Sequence, residues 1–187
     1  MTQLMTAQGI VKVPAGTWKV DRAHSSVAFE VKHMMISTVR GLLSEYDGTL
    51  EAQEDPEQST VTGWAAAASI DTGNADRDAH LRGPDFFDAD RYPRLSFVST
   101  RIRHLEGGTY AVTGDLTIKD VTREITVEAT VQGTGEDPWG NQRAGIAVRG
   151  SIDRTDFGLT WQSRLAGGGL LVGEEVGLLL DLSAVAS

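Results

Sequence analysis

Three residue types that form hydrolase triads stand close together near the amino terminus, at Asp21, His24 and Ser25. A triad needs the serine hydroxyl within hydrogen-bond reach of the imidazole. His24 and Ser25 are adjacent, however, and adjacent side chains on an extended chain point to opposite faces. The chain also lacks a Gly-x-Ser-x-Gly nucleophile elbow. We therefore predict no catalytic residue and no enzyme, and we expect Asp21 to cap the turn before a strand.

The histidines do not form a recognisable metal motif. The spacing of His24, His33 and His80 matches no ligand signature, and the chain has no cysteine. We predict no metal site and no cofactor. His33 falls on the apolar side of an alternating segment, where it is either a buried, hydrogen-bonded histidine or a contact for a quinone carbonyl or lipid head group.

Two glycine-containing motifs match nucleotide-site signatures only superficially. Residues 165–173 read LAGGGLLVG and lack both the Gly-Lys of a phosphate loop and the spacing of a dinucleotide fingerprint. Residues 154–158 read RTDFG and contain Asp-Phe-Gly without the other kinase motifs. We interpret the first as a flexible connection and assign no catalytic role to the second.

The composition excludes several partners. The chain has 26 acidic residues against 17 Lys and Arg, a net charge of −9, so it would repel a phosphate backbone, and nucleic acid is excluded. The lack of cysteine excludes disulfides and thiolate catalysis. No apolar run approaches the roughly twenty residues of a transmembrane helix. The amino terminus lacks the features of a secretory signal, which predicts a cytoplasmic location.

Two-residue alternation runs through most of the chain and predicts antiparallel strands with one buried face. The clearest segments are residues 27–33, 110–118 and 125–131, with a hairpin connection over residues 119–123. About eight or nine strands result, and a long antiparallel sheet hides its edges best by closing. The sequence predicts an all-β up-and-down barrel over residues 16–187, with a two-sheet sandwich as the alternative. Residues 1–15 are expected to form a loose arm.

Two places in the alternating pattern need a further assumption. Leu43 and Tyr46 are three positions apart, so they share a face only if a bulge near Ser44 shifts the register, and we predict that bulge. Residues 59–71 are predicted to be one strand. Small residues occupy both of its faces, so its orientation stays undecided.

Alternation stops in residues 77–97, and a short helical insertion is predicted near residues 75–90. Asn74 is a suitable cap for the first turn, Pro84 is preformed to begin another, and Pro93 prevents further helix. The insertion also carries two aromatic residues and several arginines.

The aromatic pair Phe86 and Phe87 stands within this otherwise charged insertion, which predicts that the segment covers an apolar surface. Arg77, Arg82 and Arg91 surround the pair. They face either an anionic head group or the neighbouring aspartates on the surface.

The inward positions of the strands are apolar and mix bulky with small side chains. The small ones are Gly63, Ala65, Ala67, Gly114 and Ala129. Because a filled barrel needs volume, they favour a slender tunnel suited to a long apolar molecule. An equally open alternative is that they let a helix or a second sheet approach closely.

Five segments in order resemble the YceI family of lipid-binding, lipocalin-like barrel proteins. They are WKVDRAHSSVAFEVKH (residues 18–33), VRGLLSEYDGTL (39–50), SIDTGNADRDAHLRGPDFFDADRYPRLSF (69–97), GDLTIKDVTREI (114–125) and RTDFG (154–158). The resemblance implies an extended eight-stranded antiparallel barrel with a helix near one end. It also implies a hydrophobic tunnel that binds, carries or stores an isoprenoid lipid, namely a polyprenyl chain, a polyprenyl phosphate or an isoprenoid quinone, and pairing as a homodimer.

The resemblance and the alternation together predict the ligand contacts, which are Phe29, Val31, His33, Leu43, Tyr46, Phe86, Phe87, Phe97, Leu116 and Ile118. Phenylalanine usually replaces Leu43 and Tyr46 in the family, and Trp64 stands where a small or β-branched residue is usual, so the bore is expected to differ. Two other hypotheses remain open. One is a filled barrel acting as a stress-related interaction module, and the other is a lipid-modifying enzyme that uses His24, His33 or Tyr46.

Overall fold

One antiparallel sheet of eleven strands closes on itself in the computed structural model, which describes residues 11–187. One α-helix lies outside the sheet in this part of the chain. The elements are β1 Gly16–Val20, β2 Ser26–His33, β3 Ser37–Leu43, β4 Tyr46–Ala52, β5 Thr60–Ala66, β6 Ile70–Asp71, α1 Ala75–Arg82, β7 Arg94–Glu106, β8 Thr109–Ile118, β9 Val121–Glu136, β10 Gln142–Asp153 and β11 Val172–Ala186. The predicted closed barrel is confirmed, and the sandwich alternative is wrong.

The barrel has eight strands, because six of the eleven segments combine in pairs into three interrupted strands. β1 and β2 both pair with β11, Trp18 opposite Ala186 and Ser26 opposite Asp181. In the same way β4 pairs with β1 and β3 pairs with β2. Next to them, β5 pairs with β4 and β6 pairs with β3. With β7 to β11 they form an up-and-down barrel of eight antiparallel strands in which every strand lies beside its neighbours in sequence.

The three interruptions lie side by side across the barrel wall. They fall at residues 21–25, 44–45 and 67–69. Main-chain hydrogen bonds still join the second break to the third, because the Ser44 amide donates to the Ser69 carbonyl at 3.3 Å and the Ala66 amide donates to the Glu45 carbonyl at 2.8 Å. Three of the eight strands are therefore broken at one level, whereas the other five, β7 to β11, are continuous.

These breaks correct two predictions. The predicted bulge near Ser44 is wrong, because β3 ends at Leu43 and β4 begins at Tyr46. The predicted consequence is confirmed, since Leu43 and Tyr46 both face the interior. Residues 59–71 are two strands with a 3₁₀ turn, Ala67–Ser69, between them. The structure also decides which face of β5 is turned inward, because Ala65 is buried and lines the interior.

The hairpin predicted over residues 119–123 is confirmed and is tighter than expected. Lys119 and Asp120 alone connect β8 to β9, with Ile118 opposite Val121. Lys119 has a φ of 58°, the left-handed conformation that two-residue hairpins favour at this position.

The loose arm predicted for residues 1–15 is wrong for its described part, residues 11–15, and residues 1–10 lie outside the described residues. Val13 is buried against Trp18. The Tyr110 hydroxyl donates to the Val11 carbonyl at 2.8 Å, and the Trp18 indole donates to the Pro14 carbonyl at 2.8 Å. This segment therefore packs on one end of the barrel.

The insertion contains one helix and a series of turns. Asn74 caps α1 as predicted, its side chain accepting from the Arg77 amide at 2.9 Å. Buried Asp78 joins the helix to the preceding strand, since it accepts from both the amide and the hydroxyl of Thr72. The second helical turn expected after Pro84 is replaced by hydrogen-bonded turns over residues 83–93. No helix within residues 11–187 is long and apolar enough to cross a membrane.

Candidate ligand-binding tunnel

An apolar cavity of about 420 Å³ extends along the inside of the barrel. All but one of the predicted ligand contacts line it, namely Phe29, Val31, Leu43, Tyr46, Phe86, Phe87, Phe97, Leu116 and Ile118. The strands place them there because their inward positions follow the two-residue period. Their contact with a ligand remains a prediction, but the surface they form is continuous.

The bore of the tunnel depends on aromatic rings that lie over glycines of neighbouring strands. A Cβ atom on Gly41 would lie 2.3 Å from Cζ of Phe29, and one on Gly114 would lie 2.5 Å from Cζ of Phe97. Each ring therefore occupies the space that a side chain would need on the next strand. The rings lie along the wall, and the lumen stays open between them.

This geometry decides between the two explanations of the small inward residues. The barrel is a single closed sheet, and no second sheet packs against Gly114 or Ala65 within the described chain. Both residues line the tunnel or accommodate rings of the same wall. For Gly114 and Ala65 the tunnel interpretation is therefore confirmed, and close approach by another layer is wrong.

At one end, which we call the amino-terminal end, strand residues close the tunnel. Val13, Trp18, Ala52, Ala144 and Ala184 form a buried cluster there. Trp18 is 3 % exposed. Apart from Val13, all members belong to strands, so this closure is part of the barrel wall.

At the opposite end, the insertion end, connecting segments close the tunnel. Phe86 packs with Ile118, Phe157 and Leu159 in a buried cluster, and Phe87 packs against it. The Phe86 ring lies 5.4 Å from the Trp161 ring, and both rings have His80 at their edges. The prediction that the aromatic pair covers an apolar surface is confirmed.

A buried arginine holds the insertion end together. Arg154 is 4 % exposed, lines the tunnel, and follows β10 directly. Its guanidinium donates to the carbonyls of Leu159, Trp161 (3.0 Å), Val172 (3.3 Å) and Gly173 (2.8 Å). Within residues 11–187 it forms no ion pair, and burial lowers its pKa from the usual arginine value.

Sequence reasoning missed this residue. RTDFG matches a kinase signature only superficially, and no function is predicted for its arginine. A signal was present in the sequence, because the arginine ends an alternating strand and is followed within five residues by two apolar side chains, Phe157 and Leu159. Such an arginine must satisfy five donors at a strand end, and backbone carbonyls of a nearby loop are the available acceptors.

His33 is the predicted ligand contact that the structure places elsewhere. It is the last residue of β2, opposite Ser37 and Val172, and it does not line the cavity. The inward series on β2 ends with Val31, because the chain then turns into the β2–β3 hairpin.

The three predicted head-group arginines also lie away from the tunnel lining. Arg77 donates to the hydroxyl and carbonyl of Thr72, and Arg82 donates to the carbonyls of Ala68 and Ile70. Arg91 lies over the Tyr92 ring at 5.1 Å. The first two anchor the insertion to the preceding chain, so neither the head-group role nor the aspartate pairing describes them.

The residues of the rejected triad form a structural network. Asp21 accepts from the Ala23 amide at 3.0 Å, which confirms the predicted cap. His24 Nδ1 lies 2.7 Å from the Asp21 carboxylate, while the Ser25 hydroxyl donates to the Asp21 main-chain carbonyl. The Arg143 guanidinium beside Asp21, and then His24, lower the pKa of Asp21 to about 2. No cluster of three potential metal ligands occurs within residues 11–187.

Comparison with known protein families agrees with the barrel geometry. The model of the YceI-like domain matches residues 18–184. The chain belongs to this family. UPF0312 protein plu2095 of Photorhabdus laumondii is 38 % identical over 146 residues, 76 % of each chain. Protein YceI of Shigella flexneri is 37 % identical over 148 residues, 78 % of this chain and 77 % of the relative.

Solved structures of YceI-like proteins have the same fold. BcnA of Burkholderia cenocepacia superposes with a TM-score of 0.77 at 27 % identity, over 88 % of this chain and 98 % of BcnA. The YCEI protein of Campylobacter jejuni gives 0.71 at 28 % identity, over 90 % and 96 %. A polyisoprenoid binding domain from Saccharophagus degradans gives 0.68 at 15 % identity, over 91 % and 98 %, a likeness of fold alone.

The positions where this YceI-family chain departs from the expected pattern lie on the tunnel wall. Leu43 ends β3 and Tyr46 begins β4, and both line the tunnel. Burial raises the pKa of the Tyr46 hydroxyl, so it stays protonated at neutral pH. Trp64 carries the Arg94 guanidinium 4.0 Å above its ring. The first two residues therefore change the surface available to a ligand.

Proposed function

We propose that this protein binds a long-chain isoprenoid lipid in the tunnel, a polyprenyl chain, a polyprenyl phosphate or an isoprenoid quinone. The observation that carries the proposal is the cavity itself, which is apolar and extends between the two end clusters. Burial of apolar surface contributes about 25 cal/mol per Å², so a chain of methyl-branched units gains with every unit enclosed.

The shape of the cavity favours a linear ligand over a compact one. Phe29 and Phe97 lie along the wall, so the lumen is slender and extends along the barrel axis. A structural neighbour with the same fold is named a polyisoprenoid binding domain, which supports an isoprenoid as the ligand. Carriage or storage of the lipid, the homodimer and the cytoplasmic location remain predictions.

Binding accounts for the interior better than the two other hypotheses. A filled barrel would leave no cavity, and about 420 Å³ is open. An enzyme would need an acid–base or nucleophilic pair inside the tunnel. Of the candidates, Tyr46 lines the tunnel, whereas His24 has a side chain 66 % exposed and His33 lies beyond the lining.

The test is a variant that blocks the tunnel. Ala65 is 8 % exposed and lines the cavity, so Ala65→Phe places a ring across the lumen. Ala147, on β10 between the two lining residues Ile146 and Val148, is not part of the lining, and Ala147→Phe is the matched control. Purified proteins are extracted with organic solvent, and the extract is analysed by mass spectrometry before and after incubation with polyprenol or menaquinone.

We expect the native protein and Ala147→Phe to retain or take up isoprenoid, and Ala65→Phe to lose at least about tenfold in affinity, since a filled lumen excludes the chain. Thermal melting of the unloaded variants checks that the barrel persists. Failure of the native protein to yield or take up isoprenoid would overturn the proposal, as would equal uptake by Ala65→Phe.

A further inference from the structure

The tip of the β2–β3 hairpin exposes three consecutive apolar side chains. Met34 is 38 % exposed, Met35 57 % and Ile36 81 %. Single exposed apolar residues are ordinary on protein surfaces, but a contiguous apolar tip marks an interaction site. We call residues 34–36 the apolar tip.

The turn itself does not account for the residue types of the apolar tip. Met34 has a φ of 52° and Met35 a φ of 61°, so both are in the left-handed region. The Ile36 amide donates to the His33 carbonyl at 3.1 Å, so Met34 and Met35 are the central residues of a tight turn within the three-residue loop. Positive φ at both central positions favours asparagine and glycine, which adopt it with little strain. Two methionines are unfavourable in this turn, so the backbone conformation does not explain why they occur here. We therefore look to their exposed side chains for a role.

The apolar tip lies at the rim of the tunnel. The Met34 amide donates to the Leu171 carbonyl at 2.8 Å, and His33 is opposite Val172 in the sheet. Val172 lines the tunnel, and its carbonyl accepts from Arg154. The tip and the glycine-rich loop before β11 therefore adjoin the insertion end of the cavity.

The charge around the apolar tip differs from that of the whole chain. Residues 31–44 and 157–173 contain no Asp or Glu, although the chain carries a net charge of −9. They carry Lys32, Arg40 and Arg164. Lys32 donates to the Thr38 hydroxyl, and Arg40 pairs with Glu30 on the adjacent strand at 3.2 Å. Acidic residues begin directly outside these segments, at Glu30, Asp156 and Glu174, so the excess of basic side chains is confined to the tip and the loop before β11.

We propose that this end of the barrel docks on an anionic lipid bilayer, with the apolar tip inserted among the head groups. Apolar side chains flanked by lysine and arginine are the combination that binds the interface of an anionic membrane. A second copy of the chain is a poorer occupant, because a stable interface buries about 1,000 Å² or more and a three-residue tip offers far less. Membrane docking does not depend on the proposed function. The purpose that we assign to docking, the passage of an isoprenoid between the bilayer and the tunnel, does rest on the proposed function.

The experiment measures binding to vesicles with no isoprenoid added. The native protein is sedimented with vesicles of phosphatidylcholine alone and of phosphatidylcholine mixed with phosphatidylglycerol. We expect binding to the mixed vesicles that weakens with added salt, because basic residues contribute to it. Ile36→Asp and, separately, Met35→Asp are expected to weaken it by about tenfold or more, since each replaces an inserted apolar side chain by a charge.

Trp139 provides the matched control. It is 81 % exposed, like Ile36, and lies in the β9–β10 turn at the amino-terminal end. Trp139→Asp is expected to leave vesicle binding unchanged. Melting curves identify any variant that fails to fold, and the second tip variant then carries the test.

Three results would overturn the proposal: no binding of the native protein to mixed vesicles, equal binding by both tip variants, or loss of binding in Trp139→Asp instead. A change of oligomeric state in the tip variants without vesicle binding by the native protein would assign the tip to a second copy. Because the vesicles contain no isoprenoid, each of these results leaves lipid uptake by the tunnel untouched.

Discussion

The two ends of the tunnel are closed by different parts of the chain. At the amino-terminal end the closing side chains, Trp18 among them, belong mostly to the strands. At the insertion end the closing side chains come largely from α1, the turns after it and the segment after β10. Arg154 holds that segment to β11, because it donates to the main-chain carbonyls of Leu159 and Trp161 and to that of Gly173.

Stability and access to the tunnel can be changed separately only at the insertion end. A change at the amino-terminal end alters the sheet itself, since its residues are also strand residues. A change at the insertion end alters a cover whose removal breaks few strand hydrogen bonds. We therefore expect variants of the amino-terminal end to act on stability, and some variants of the insertion end to act mainly on what the tunnel retains.

The largest effect is expected at Arg154. Arg154→Met leaves its buried carbonyl partners without a donor, which we expect to lower the free energy of unfolding by about 3 kcal/mol or more. Arg149→Met is the control, because Arg149 is 47 % exposed in its pair with Asp181 and such pairs contribute about 1 kcal/mol or less. Urea unfolding measures both. Equal losses would mean that Arg154 does not hold the cover.

The aromatic pair distinguishes cover from core within the insertion end. Phe86 is 6 % exposed, so Phe86→Ser is expected to cost about 3 kcal/mol in stability. Phe87 is only partly buried and lines the tunnel. Phe87→Ser should reduce isoprenoid retention several-fold with a smaller loss of stability, measured by mass spectrometry and melting. If Phe87→Ser lost stability in proportion to isoprenoid retention, Phe87 would be a core residue and not part of a cover.

Trp18→Phe tests the amino-terminal end. The substitution removes the indole N–H that donates to Pro14 and leaves a small cavity, so we expect a loss of about 1–2 kcal/mol in the free energy of unfolding. Isoprenoid retention should change less than in Phe87→Ser. A larger effect on retention than on stability would show that this end, too, acts as a cover.

Acid unfolding gives the smallest effect. Arg143 pairs with both Asp21 and Asp137 at 2.7 and 2.8 Å, and Arg143, followed by His24, lowers the pKa of Asp21 from 3.8 to about 2. A lowered carboxylate pKa stabilises the fold above the ordinary pKa and loses that effect as the pH falls from about 4 to about 2.

Arg143→Met is therefore expected to raise the pH at which acid unfolds the barrel. The difference from the native protein should be full at neutral pH and shrink as the pH falls below about 4, because Asp21 and then Asp137, whose pKa is also lowered, become protonated. Circular dichroism during acid titration measures it. Superimposable titration curves would show that the clamp on Asp21 contributes nothing to stability.

Much of the barrel could be predicted from local pattern. The alternation in residues 110–118 and 125–131 yields β8 and β9 with their hairpin, because a half-buried strand needs one apolar face. The lining residues Phe29, Leu116 and Ile118 follow from the same period. The prediction for His33 is wrong, because the alternation on β2 continues to His33 although the cavity wall ends at Val31.

The breaks at residues 44–45 and 67–69 could not be predicted, because each depends on hydrogen bonds to a segment distant in sequence. The role of Arg82 depends likewise on the carbonyls of Ala68 and Ile70. The open lumen rests on Phe29 over Gly41, a contact across two strands that no local pattern contains.

The sequence by itself determined the strand periodicity, the apolar interior and the capped helix at Asn74, because these depend on side-chain type and near neighbours. Only the tertiary structure decided that Arg154 holds the cover and that the tunnel stays open. Both depend on which carbonyls and rings meet across the closed sheet, and closure joins residues that are far apart in the chain.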